Sequence, residues 1–192
     1  MTAPYTVSRR TRLVRSLLSG AARVIFHILA RVEIEGRDNI PRSGPYLIAF
    51  NHVSIFDPPF MIAFWPVQPE ILGAVDIWSR PGQDLLARLY EGIPIRRGEV
   101  DRDALERTLA ALRAGLPLML APEGGRSHHP GLRQAKPGVV YILERTGVPV
   151  VPVGVVGTTD DFFARGIRGA RPLLRMKIGK QFSLPQIEDP LA

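Results

Sequence analysis

A chain of 192 residues has room for one globular domain, and folding at that length buries about 70% of the unfolded surface, so a core needs neither disulfide nor structural metal. Hydrophobic residues at 45% and charged residues at 22% exclude a disordered or collagen-like chain despite 18 glycines and 18 prolines, and the lack of cysteine excludes thiolate metal sites, iron–sulfur clusters and cysteine nucleophiles. The net charge of +7 is lopsided: residues 1 to 32 carry six arginines and no acid, which speaks for a basic segment seeking an anionic surface and against a nucleic-acid-binding protein.

From Thr11 to Val32 the polar residues Arg15, Ser19, Arg23, His27 and Arg31 recur at helical spacing. Leu13, Val14, Leu17, Leu18, Ala21, Val24, Ile25, Ile28, Leu29 and Val32 form a wide apolar band between them, which predicts an amphipathic helix. Three arginines and a histidine interrupt the band, so it does not read as a span, which needs about 20 apolar residues. Such a helix lies in a membrane interface or docks on the protein's own core. An Arg-rich, acid-free start also imitates a targeting peptide, although no convincing cleavage site follows.

After Gly36 short apolar runs alternate with helical patterns, the mark of βα units and a largely parallel sheet. Strands are predicted at Tyr46 to Phe50, Glu70 to Val75, Ile93 to Ile95, Leu116 to Ala121, Val148 to Val156 and Leu173 to Ile178. Helices are predicted at Pro59 to Phe64, Gln83 to Leu89, Asp103 to Ala114 and Gly138 to Arg145. The expected organisation is an α/β domain over 33–192 with a basic amphipathic helical appendage over 1–32 and a loose end from about Pro185.

Three segments at predicted strand ends carry more chemistry than packing requires. In Asn51-His52-Val53-Ser54-Ile55-Phe56-Asp57-Pro58-Pro59 a continuous helix would hold His52 and Asp57 about 140° apart, but Pro58 disfavours that conformation at Asp57 and forces a turn. With Asp57 as helix cap, the turn can bring its carboxylate onto one ring nitrogen of His52 and leave the other as a general base. A capping aspartate beside a strand-end histidine is the plain alternative. Gly92-Ile93-Pro94-Ile95-Arg96-Arg97-Gly98 delivers two guanidiniums suited to phosphate, unless both are solvated surface groups. Ala121-Pro122-Glu123-Gly124-Gly125-Arg126-Ser127-His128 places an acid, two glycines and an arginine after an apolar strand, either as a ligand turn or as an ordinary turn with a local Glu–Arg pair. The run Val148 to Gly154 is structural, its two prolines suggesting an edge or bulge. There is no Gly-x-Ser-x-Gly elbow, P-loop or Gly-x-Gly-x-x-Gly, so serine hydrolase, nucleotide hydrolase and dehydrogenase readings lose their expected feature.

In this order and spacing, over residues 36 to 156, the segments resemble the PlsC-like glycerophospholipid acyltransferase family. Asn51-His52-x4-Asp57 resembles its His-x4-Asp motif, Pro94 to Glu99 its second motif with Arg97 at the family's arginine, Pro122 to Ser127 its Pro-Glu-Gly-Thr-Arg-Ser, and Val148 to Val153 its fourth. Three positions depart: Glu91 stands where the family has glycine, Gly125 replaces threonine and Ala121 replaces phenylalanine. The resemblance implies acyl transfer from an acyl-CoA or acyl carrier protein thioester to the hydroxyl of lysophosphatidic acid, without metal or other cofactor. His52 would be the base and Asp57 its support. Arg97 and Arg126, with Arg96, would hold the acceptor phosphate, and Glu123 and Gly124 would shape its site. Another acceptor such as glycerol 3-phosphate, another alcohol or an amine, or a non-catalytic lipid-binding module, are the competing readings. A peripheral place on the cytoplasmic face of a membrane follows as an expectation.

Overall fold

A computed structural model describes residues 5–127 and 131–184; the expectations for His128 and for the tail from Pro185 lie outside the described residues. The chain begins with helix α1 (Arg9–Leu29), started by Ser8, whose hydroxyl accepts the Thr11 N–H. Strands β1 (Arg31–Glu35), β2 (Leu47–Phe50), β3 (Glu70–Ala74), β4 (Ile93–Ile95), β5 (Leu118–Leu120), β6 (Val150–Val156) and β7 (Leu173–Ile178) form one sheet in the order β1-β7-β6-β2-β5-β3-β4. All neighbours are parallel except β6 and β7. Helices α2 (Asp57–Phe64), α3 (Gln83–Tyr90), α4 (Arg102–Arg113), α5 (Pro137–Thr146) and α6 (Phe162–Ile167) complete the fold.

The central strands are apolar at successive positions because both faces are covered. Ile48 and Phe50 of β2 and Met119 of β5 face a core shared with Phe26, Phe60, Phe64 and Phe162. Leu47, Leu118 and Leu120 face the other way, into Leu109 and Leu112 of α4 and Ile142 and Leu143 of α5. The predicted helices and strands are all present. The prediction missed β1, whose Val32 was absorbed into the helical band, and α6, which is short and contains Gly166. Strand β1 therefore crosses the boundary expected at residue 32, and α1 stops at Leu29.

The expectation of an edge or bulge at β6 needs correction in part, because β6 lies inside the sheet between β2 and β7. It tolerates Pro152 because the β7 ladder starts only at Val153; on that side the Pro152 carbonyl accepts the Gly179 N–H at 2.8 Å and no strand residue needs its missing donor.

Helix α1 packs against α2, α3 and α6, and its buried residues are Thr11, Arg15 and Phe26. Arg15 is 2% exposed and points inward: Nη1 donates to Glu70 Oε1 at 2.6 Å, Nη2 to Glu70 Oε2 at 3.0 Å and Nε to the Tyr90 carbonyl at 2.8 Å. Its guanidinium also lies 4.5 Å from the centroid of the Tyr90 ring. Thr11 donates to Glu91 Oε2 at 3.1 Å, Tyr5 donates to Glu70 Oε2 at 2.9 Å, and Arg23 donates to the Ala63 carbonyl at 2.7 Å. Burial and then the Glu70 charge push the Tyr5 hydroxyl up to about 12, and burial also raises that of Tyr90. Phe26 adds the apolar anchor, 5.2 Å from Phe60 and 5.4 Å from Phe162 between ring centroids. The outward face is what remains: Leu13, Leu17, Val24, Ile25 and Ile28 are all exposed.

Candidate active site

The segments singled out in the sequence meet at the C-terminal ends of β2, β4, β5 and β6, where parallel α/β sheets open their crevices. After β2 the chain turns sharply before Pro58. His52 Nδ1 lies 2.8 Å from Asp57 Oδ2, the reach that the His-x4-Asp spacing predicted. Asp57 differs from expectation in one respect: it is the first residue of α2 instead of its cap. Its carboxylate turns back, accepting the backbone N–H of Val53 at 2.7 Å and of Ser54 at 2.8 Å on Oδ2, and the Thr158 hydroxyl on Oδ1. The aspartate is buried, and four donors surround it. A carboxylate so filled is an orienting group, and because it can only accept, Nδ1 is the donor of the pair. Nε2 is then left as the acceptor.

Neighbouring strands lock this turn. Asn51 bonds the backbone of Val155 in both directions, with Oδ1 accepting its N–H at 2.7 Å and Nδ2 donating to its carbonyl at 3.0 Å. The Ser127 N–H donates to the His52 carbonyl at 2.6 Å, so the turn after β5 is tied to the turn after β2. Beyond β6, Asp160 accepts the Ser54 hydroxyl at 2.9 Å on Oδ1 and pairs with Arg126 Nη1 at 3.1 Å through Oδ2. Thr158 and Asp160 escaped the sequence reading; the only cue was that Gly157-Thr158-Thr159-Asp160 follows a strand belonging to the same edge.

His52 lines a cavity of about 970 Å³. Its lining includes the apolar Phe50, Ile62, Leu72, Trp78, Leu109 and Ile142 and the basic Arg80, Arg97, Arg126 and Lys136. Ala121, in place of a bulky side chain, borders it beside Glu123. Arg97 makes no ion pair among the described residues. Desolvation lowers its pKa and the nearby Arg80, Arg126 and Arg133 lower it further, with only Asp76 opposing.

The other expected site residues separate. Arg96 points to solvent against Glu99, 3.8 Å away, although its backbone N–H is bound by Asp101 at 2.9 Å. Glu123 is buried, and its partner is Arg133 at 3.0 Å, so the expected local pair with Arg126 does not form. Gly124 has φ of 73°, and a Cβ there would meet the Lys136 side chain at 2.9 Å, which excludes any other residue without rearrangement. Arg133 and Lys136 were missed because they follow a loop instead of ending a strand. Among the described residues no group of His, Asp and Glu is placed to hold a metal ion, and no helix is long and apolar enough to cross a membrane.

A family model described as Acyltransferase matches residues 31–156, and the chain belongs to that family. The chloroplastic 1-acyl-sn-glycerol-3-phosphate acyltransferase BAT2 of Brassica napus is 28% identical over 131 residues, 67% of this chain and 38% of that protein. The human 1-acyl-sn-glycerol-3-phosphate acyltransferase alpha is 26% identical over 140 residues, 70% of this chain and 48% of its own length. The chain thus spans half or less of these two curated relatives. The 1-acyl-sn-glycerophosphate acyltransferase PlsC of Thermotoga maritima shares the fold, with a TM-score of 0.68 at 22% identity over 93% of this chain and 72% of that one.

Proposed function

We propose that the protein transfers a fatty acyl group from a thioester, acyl-CoA or acyl carrier protein, to the free hydroxyl of lysophosphatidic acid. The observation that carries the reading is the histidine held at Nδ1 by a saturated carboxylate while its ring lines a cavity with both an apolar wall and arginines. The acyltransferase family and the names of the curated relatives support the acceptor class.

His52 Nε2 takes the hydroxyl proton as the oxygen attacks the thioester carbonyl. The new C–O bond forms, the tetrahedral centre collapses with loss of the C–S bond, and the imidazolium returns the proton to the leaving thiolate. Asp57 keeps the ring oriented and balances its charge in that interval. Neither a covalent acyl-enzyme nor a bound cofactor enters this sequence. The apolar wall receives the acyl chain and the arginine rim the phosphate, so orientation of both substrates supplies much of the rate.

The exposed face of α1 supports a peripheral membrane location. Its Leu13, Leu17, Val24, Ile25 and Ile28 are exposed, and exposed Leu85 and Leu89 of α3 and Ile167 of α6 stand on helices that flank it. Arg9, Arg10 and Arg12 add charge suited to anionic headgroups. An acceptor held in the bilayer by its acyl chain would then reach the cavity from the membrane.

The test is incubation of the full chain with lysophosphatidate, glycerol 3-phosphate and monoacylglycerol, each against short and long acyl-CoA and acyl carrier protein thioesters. Phosphatidate from lysophosphatidate should be the dominant product. Equal use of the phosphate-free acceptor removes the assigned acceptor, and transfer to none of them removes the enzyme reading.

A further inference from the structure

Three of the donors on Asp57 act on one oxygen and come from one stretch of chain. Oδ2 takes His52 Nδ1 at 2.8 Å and the backbone N–H groups of Val53 at 2.7 Å and Ser54 at 2.8 Å. Among the described residues Oδ1 takes the Thr158 hydroxyl alone. A carboxylate held through one oxygen can still pivot about it, and the bond to the second oxygen decides the plane in which the first meets its donors. Thr158 therefore fixes what the His52 turn leaves free.

That hydroxyl stands on a firm base. Thr158 is buried, and it follows β6, which lies inside the sheet between β2 and β7. Gly157, with φ of 93°, makes the turn between them. A Cβ there would come within 2.1 Å of the Leu173 carbonyl oxygen, so only glycine lets the strand end press this closely on β7. Just before that turn Asn51 holds both backbone groups of Val155, which fixes β6 and the start of the His52 turn to each other. A threonine hydroxyl has one proton to give, and a carboxylate cannot donate in return, so the proton of Thr158 is committed to Asp57.

We infer that Thr158 is a positioning residue of acyl transfer: it sets the plane of the Asp57 carboxylate and, through it, the direction in which His52 presents Nε2. Thr158 does not line the cavity, so its effect passes through Asp57. The inference rests on the acyl-transfer reading for its kinetic consequence alone.

The test compares the full-length wild type with Thr158→Val, which keeps the shape and removes the hydroxyl, and Thr158→Ser, which keeps the hydroxyl and removes a methyl group. In Thr158→Val kcat should fall about 10- to 100-fold, as for loss of a hydrogen bond to a charged group, with KM for both substrates unchanged. In Thr158→Ser it should stay near the wild-type value. A residue that only packs gives the opposite order, with valine tolerated and serine damaged by the gap it leaves. Combined with His52→Ala, Thr158→Val should lower the residual rate no further. A second readout needs no turnover: the low-field proton resonance of His52 Nδ1–H, assigned by its loss in His52→Ala, should persist in Thr158→Ser and be displaced or lost in Thr158→Val. If Thr158→Val does not fold, Thr158→Ala set against Thr158→Ser isolates the hydroxyl in the same way. Wild-type kcat in a folded protein without the hydroxyl overturns the inference, as does a loss of the same size with and without His52. If the wild type transfers no acyl group, the acyl-transfer reading fails, and the Nδ1–H resonance alone upholds or overturns the positioning.

Discussion

Arg15 beneath α1 and Arg97 at the cavity rim show two uses of the same side chain. Arg15 spends its donors inside the protein, on both oxygens of Glu70 and on the carbonyls of Tyr90 and Glu91. Arg97 faces a cavity with no carboxylate bonded to it and three arginines nearby. A guanidinium completed by the protein fastens elements together; one left incomplete beside a cavity calls for an anion from outside. The two faces of α1 divide the same way. Arg15 and Thr11 are consumed by the fold, Phe26 and Leu29 pack on the core, and Leu13, Leu17, Val24, Ile25 and Ile28 are left exposed.

The difference can be broken at several points. Among single substitutions the largest expected loss is at Arg15: removing one partner of a buried ion pair leaves Glu70 uncompensated, which costs about 3–5 kcal/mol, so Arg15→Ala should lower the melting temperature steeply. Deletion of α1 should do worse, because Phe26 leaves the core with it. Substituting Leu17 and Ile28 by Asp probes the opposite face. These residues are 66% and 64% exposed, so the melting curve should hold, while binding to anionic vesicles should fall by about 3 kcal/mol or more in co-sedimentation. Vesicle binding that survives both substitutions would remove α1 from the membrane contact. Arg97→Ala should raise the acceptor KM by about 2 kcal/mol, with folding and donor KM preserved; a loss of stability there would place Arg97 with the fasteners.

The smallest effect concerns Asp101, which caps α4 through the Ala104 N–H at 3.1 Å and also binds the Arg96 N–H. Asp101→Ala should cost about 1 kcal/mol at neutral pH. These two backbone donors hold the carboxyl below its ordinary value. Its contribution is therefore fully present above about pH 4 and is lost as pH falls through the folded-state value, so denaturation curves of wild type and variant should converge in acid.

What could be read beforehand follows from how local the governing interaction is. The continuous apolar character of β2 and β5 and the turn forced by Pro58 are local, and each was legible; so was the reach of Asp57 to His52. That Asp57 would spend its other bonds on Val53, Ser54 and Thr158 was not, because Thr158 arrives from β6, 101 residues later. Arg15 was read only as part of a polar stripe, and the fold alone brings Glu70 to it. The glycine-rich turn after β5 was recognised, but Arg133, eight residues beyond Gly125, comes back over it through a loop that no periodicity describes.

The claim on which the rest depends is that His52 removes the acceptor proton with Asp57 behind it. The most direct test is the single-turnover rate of phosphatidate formation by wild type and His52→Ala at saturating lysophosphatidate and acyl thioester, read beside their melting curves. The account predicts equal folding and a rate lower by about 10²- to 10⁴-fold in the variant. A folded His52→Ala protein that transfers the acyl group at the wild-type rate would contradict it.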